Sequence, residues 1–138
     1  MSDIIKLARI QIIVIAIFFI MKKFVRPFVL ESDFHPLADI IVYSFPNLCE
    51  GIIGVLSATY VLLYLNLRSL RWSEKAIYLI ATFLAGVYVI TQEFKIHNIG
   101  GNNIFDPYDV LFSIIGLLIG LGIILSIKPK FTASTSDQ

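Results

Sequence analysis

Five polar side chains interrupt an apolar background: Asn47 and Glu50 within SFPNLCEG (Ser44 to Gly51), Glu93 within TQEF, and Asp106 and Asp109 within NIFDPYDV. Carboxylates and an amide brought together can accept hydrogen bonds from hydroxyls or hold a cation that bridges to phosphate. A two-carboxylate acid/base mechanism is the other chemistry of such a set, and nothing else in the sequence supports it. No Gly-rich phosphate loop, nucleophile elbow or Ser/His/Asp order is present. Cys49 is the single cysteine, which excludes an internal disulfide and a multi-cysteine metal site. The two histidines, His35 and His97, fall in different loops without helical ligand spacing, so neither a metal nor a cofactor is expected.

The elements that must position these residues are membrane helices. Of 138 residues, 57% are hydrophobic and only 15% are charged, with a mean hydropathy of +0.84. A soluble domain has roughly 45–50% apolar and 25% charged residues. Four apolar stretches, 4–21, 47–67, 73–94 and 107–127, each approach the ~20 residues that cross ~30 Å of hydrocarbon. The expected fold is therefore all-α: a polytopic antiparallel bundle of four transmembrane helices, one domain over 1–130, with a polar tail at 131–138. The first stretch carries Lys6 and Arg9 and is the weakest span. Basic and bulky residues (MKKF, Met21 to Phe24) stand where a signal-peptide cleavage site would need small ones, which points to a retained helix.

Pro46 leaves two geometries for the second span. A helix starting there makes Pro46 an N1 residue and places Glu50 about one turn below the surface, sharing a face with Asn47. A helix continuous from Leu37 makes Pro46 a kink and puts Glu50 nearer mid-membrane. In both, Glu50 must face protein or water, or be neutral. The fourth span has a clear start, with Asp106 as N-cap, Pro107 at N1 and Asp109 at N3, where the helix dipole favours acids.

Orientation rests on the basic residues, which concentrate in short cytoplasmic loops. Cytoplasmic termini put Lys6, Arg9, Arg68, Arg71, Lys75, Lys128 and Lys130 inside and Lys22, Lys23, Arg26 and Lys95 outside. Glu31, Asp33, Asp39, Glu93, Asp106 and Asp109 then gather on the outer face with both histidines. Net charge is +1 and the basic residues are dispersed, which argues against nucleic acid. Gly116 and Gly120 form a G-x-x-x-G spacing, and Gly51 and Gly54 offer a second small-residue face. These faces suit either close packing of the second and fourth helices or association with another membrane protein or a second copy.

FPN ahead of a glycine-containing helix, TQEF closing the penultimate helix, and FDPYD leading into a Gly-rich last helix resemble the VanZ-like family of small bacterial membrane proteins. The resemblance covers residues 44–127 and is carried by Asn47, Glu93, Asp106, Asp109, Gly116 and Gly120. The chain departs from the family pattern at Phe112-Ser113, where an asparagine is common, and at Phe94-Lys95, where a glutamine is. Membership would imply cell-envelope work at the outer face of a bacterial plasma membrane, linked to antibiotic resistance, without a settled reaction. Two functions follow as expectations. In the first, Asn47, Glu50, Glu93, Asp106 and Asp109 line a pocket for a membrane lipid or its head group. In the second, the chain is an accessory subunit of a larger membrane complex.

Overall fold

The computed structural model describes residues 3–33, 35–94 and 106–130. His97, within the segment 95–105, and the tail at 131–138 lie outside the described residues. Within them the chain is helical and contains no strand: α1 (Asp3–Ile20), a π-helical turn (Met21–Val25), α2 (Arg26–Glu31), α3 (Pro36–Leu65), a second π-helical turn (Asn66–Leu70), α4 (Glu74–Glu93) and α5 (Pro107–Ile127). The runs Asp3–Glu31, Pro36–Leu70, Glu74–Glu93 and Pro107–Ile127 are each long and apolar enough to cross a bilayer, which makes this a multi-pass membrane protein. Large apolar residues such as Ile12, Phe19, Phe83 and Leu118 face outward, as hydrocarbon solvation permits.

Three contacts set the helix directions. Gln11 Nε2 donates to Ser57 Oγ at 2.8 Å, and the Arg26 guanidinium lies 4.4 Å from the Tyr43 ring, so α1 and α3 run antiparallel. Tyr78 donates its hydroxyl to the Pro129 carbonyl at 3.0 Å, bringing the start of α4 beside the end of α5. Asp3, the α3–α4 turn and Lys128–Lys130 therefore share one end of the bundle. Arg26, Tyr43, Ser44, Asp106 and Asp109 share the other. Sequential spans alternate in direction, so α3 and α5 run parallel, and their contact organises the core.

That contact is made at backbone range. A Cβ on Gly116 would collide with the Leu48 carbonyl oxygen and lie 2.9 Å from the carbonyl carbon. One on Gly51 would lie 2.7 Å from the Ser113 carbonyl oxygen, and one on Gly120 2.9 Å from Val55 Cβ. Small residues in lipid allow helix backbones to meet and gain dispersion that hydrocarbon tails cannot supply. Gly54 instead faces Ala85 of α4 across an ordinary 3.4 Å. Around this seam Ile52, Val55, Leu56, Ile77, Leu117 and Ile124 close the core. By contrast, Leu7 is the only buried residue of α1.

Of the two geometries open for the second span, the structure takes the continuous one, and α3 begins at Pro36 rather than near residue 47. The N-terminal signal is doubled in the sequence: Pro36 is also an N1 proline, and His35 Nδ1 caps the helix by accepting from the Leu37 amide at 3.2 Å. Pro46 then sits inside the helix, where it deprives the Val42 carbonyl of its intrahelical donor. At 30 residues α3 is about 45 Å long, longer than a bilayer core is thick.

Candidate functional site

At the end of the bundle where α5 begins, a cavity of about 590 Å³ opens between the first helical run, α3 and α5. Tyr43, Pro46, Asn47 and Glu50 line it from α3, and Asp106 and Asp109 from the start of α5. Phe18, Lys22 and Arg26 close the third side. Four of the five polar residues singled out from the sequence thus border one space. Glu93 ends α4 and is not among the residues lining this cavity. From α4, its neighbour Gln92 together with Tyr88 and Val89 lines a smaller cavity of about 270 Å³ that Glu50, Ile53 and Gly54 border from α3.

The two aspartates are each held by an identifiable cause. Asp106 is the N-cap of α5: its Oδ1 accepts from the Tyr108 amide at 2.9 Å, and its carbonyl accepts from the Asp109 amide at 3.2 Å. Asp109, one turn on, is fixed across the interface by Ser44, whose fully buried hydroxyl donates to Oδ1 at 2.8 Å. The same close approach that Gly51 and Gly116 permit brings Ser44 to Asp109. Glu50 lies on α3 six residues beyond Ser44, about 9 Å deeper along the axis. It is half-buried and within electrostatic reach of both Lys22 and Asp109.

Lys22 and Arg26 are the residues that the sequence treated as membrane-edge charges. Lys22 lies within, and Arg26 closes, a widened turn in which the Arg26 amide donates to the Met21 carbonyl, one residue further back than in an α-helix. Phe18, Lys22 and Arg26, spaced by four, all face the cavity. The Lys22 ammonium lies 5.5 Å from the Phe18 ring centroid, and Arg26 stacks on Tyr43. Neither pairs with a cavity carboxylate within 4.0 Å; the ion pairs among the described residues, Lys6–Asp3 and Lys130–Glu74, lie at the opposite end.

Most hydroxyls in the apolar layer bond back to their own helix, as Thr59 does to Val55 and Thr82 to Tyr78. Ser113, one turn below Asp109, is fully buried with no partner for its hydroxyl among the described residues. No group of three or more His, Cys, Asp or Glu among them is disposed to hold a metal ion. The arrangement is a concave, half-polar site of a size that holds small ligands, with donors on one wall and carboxylates on the others. No family model, curated protein or solved structure matches the chain.

Proposed function

We propose that this protein binds the head group of an envelope lipid, or of a lipid-linked precursor, in the cavity between the first helix, α3 and α5. On this reading it is a VanZ-like protein of the bacterial plasma membrane, with cytoplasmic termini and the cavity at the extracytoplasmic face, and it has a link to antibiotic tolerance. The observation that carries the reading is the convergence of Asn47, Glu50, Asp106 and Asp109 on one space beside the start of α5. Carboxylates and an amide at that level accept hydrogen bonds from sugar or glycerol hydroxyls. The second cavity, deeper along the same stripe of α3, offers apolar walls at Ile53, Tyr88 and Val89 for the adjoining chain.

The accessory-subunit alternative drew on glycine faces available to a partner. Gly51, Gly116 and Gly120 are occupied within this chain, which leaves that alternative less support, while Gly122 meets nothing within 4 Å. Native mass spectrometry of protein extracted gently from its own membrane tests the proposal. A retained adduct of lipid mass, lost in Asp109→Asn, is the expected result. A retained protein subunit, indifferent to Asp109→Asn, would replace lipid binding with assembly.

A further inference from the structure

We infer that Lys22 and Arg26 form an anion-binding wall, so that the head group taken by the cavity carries a phosphate beside hydroxyl or ammonium groups. The inference rests on the head-group reading above and adds the ligand's charge pattern to it. Two cations and three carboxylates surround one space of about 590 Å³, and no cation among them pairs with a carboxylate within 4.0 Å. Each cation is seated against an aromatic ring, Lys22 on Phe18 and Arg26 on Tyr43, rather than on a carboxylate. The carboxylates have other holders: Asp106 is bound by the Tyr108 amide and Asp109 by the Ser44 hydroxyl. Glu50 has neither an ion pair nor a side-chain hydrogen bond within the described chain.

Unpaired charge at the level of a membrane helix is costly, and a ligand that presents phosphate to one wall and hydroxyls or an ammonium to the other relieves it on both. Phosphate oxygens match the planar fork of Arg26 and the point charge of Lys22. Hydroxyls or an ammonium would then meet Glu50 and Asp109. Lys22 and Arg26 continue the spacing of four from Phe18, which keeps all three on the cavity side of the first helical run. Glu50 also borders the smaller, largely apolar cavity with Ile53 and Val89, which favours a lipid over a free phosphate ester as the source of the head group.

The test is native mass spectrometry of the full chain in detergent micelles, titrated with three probes. Phosphatidylglycerol carries a phosphate and hydroxyls, diglucosyldiacylglycerol carries hydroxyls without phosphate, and glycerol phosphate is the soluble counterpart. Phosphatidylglycerol should be retained about tenfold better than the glycolipid, and Lys22→Gln with Arg26→Gln should erase that preference. The charge-preserving pair Lys22→Arg with Arg26→Lys should keep most of it, which separates charge from packing on Phe18 and Tyr43. Glycerol phosphate competing as well as phosphatidylglycerol would uphold the anion wall and assign it to a soluble ligand. Equal retention of both lipids, each lost in Asp109→Asn, would overturn the anion wall while leaving the carboxylate pocket. Retention of neither, with Asp109→Asn unchanged, would overturn the head-group reading and the anion wall together.

Discussion

Two adjacent stripes of α3 behave oppositely. Along one, Ser44, Leu48, Gly51 and Val55 meet α5 at or near backbone contact. Along the other, Tyr43, Asn47, Glu50 and Gly54 border cavities. The closed stripe has small residues and a buried hydroxyl, and the open one has an amide, a carboxylate and an aromatic ring. A helix pair that touches through its backbones has little freedom to shift, so the closed seam fixes the height of Asp109 relative to Glu50. The open stripe then keeps its volume because the seam, rather than its own side chains, holds the helices in place. α1 completes the cavity but contributes one buried residue and one side-chain hydrogen bond to α3.

The largest effect should come from breaking the closed seam. Gly116→Ala puts a methyl group against the Leu48 carbonyl, a backbone group that cannot rotate away, so α3 and α5 must separate. We expect a loss of about 3 kcal/mol in detergent-unfolding stability, at the upper end for overpacking. Gly122→Ala, which meets nothing within 4 Å, should be close to neutral in the same assay. Equal stability of the two variants would mean that the seam is looser than its geometry. Because Gly116 is spent inside the chain, its replacement reports on folding and says nothing about a partner.

The open stripe should respond in binding rather than stability. Asp109→Asn keeps an oxygen that can accept from Ser44 while removing the charge. Folding should be preserved, and retention of a lipid adduct should fall by at least about tenfold, the scale of one charge-assisted hydrogen bond. Ser44→Ala tests the link between the stripes more gently. It removes the donor to Asp109 but leaves the carboxylate facing the cavity, where water can replace the hydroxyl. A stability loss of about 1 kcal/mol is expected, read by detergent unfolding. Adduct retention should drop only a few-fold, measured beside Asp109→Asn. A larger binding loss than that of Asp109→Asn would make Ser44 itself a ligand contact.

The sequence displayed the architecture because hydropathy and length suffice for it: four spans, their alternation and the capped start of α5 at Asp106-Pro107 are local properties. The start of α3 was harder to read. Pro36 and Pro46 carry the same N1 signal; the helix is capped by His35 ahead of Pro36 and runs on through Pro46, and Ser44, just before Pro46, is tied to Asp109 by a contact that no window of sequence contains. Asn47, Glu50, Asp106 and Asp109 stood out because polar residues in apolar runs are conspicuous. Lys22 and Arg26 did not, because cations at a helix end are ordinary there. Their one available signal was the spacing of four that links them to Phe18, visible only if α1 continues past residue 21. Glu93 stood out as an acid in TQEF on the outer face, whereas the polar α4 residue that lines the smaller cavity with Glu50 is its neighbour Gln92.

The smallest predicted effect concerns the third wall. Gln11 and Ser57 form the one side-chain hydrogen bond described between α1 and α3, at 2.8 Å and partly buried. Interhelical hydrogen bonds in lipid average about 0.6 kcal/mol, since the separated helices find other partners. Gln11→Leu should therefore lower stability by about that amount and leave the α3–α5 seam untouched. Its informative consequence is geometric. Lys22 and Arg26 lie on the same helical run, so a loosened α1 should weaken retention of a phosphate-bearing lipid more than that of a phosphate-free one. Equal weakening of both would show that α1 acts as a plain lid, and no weakening of either would show that Arg26 on Tyr43 suffices to hold the wall.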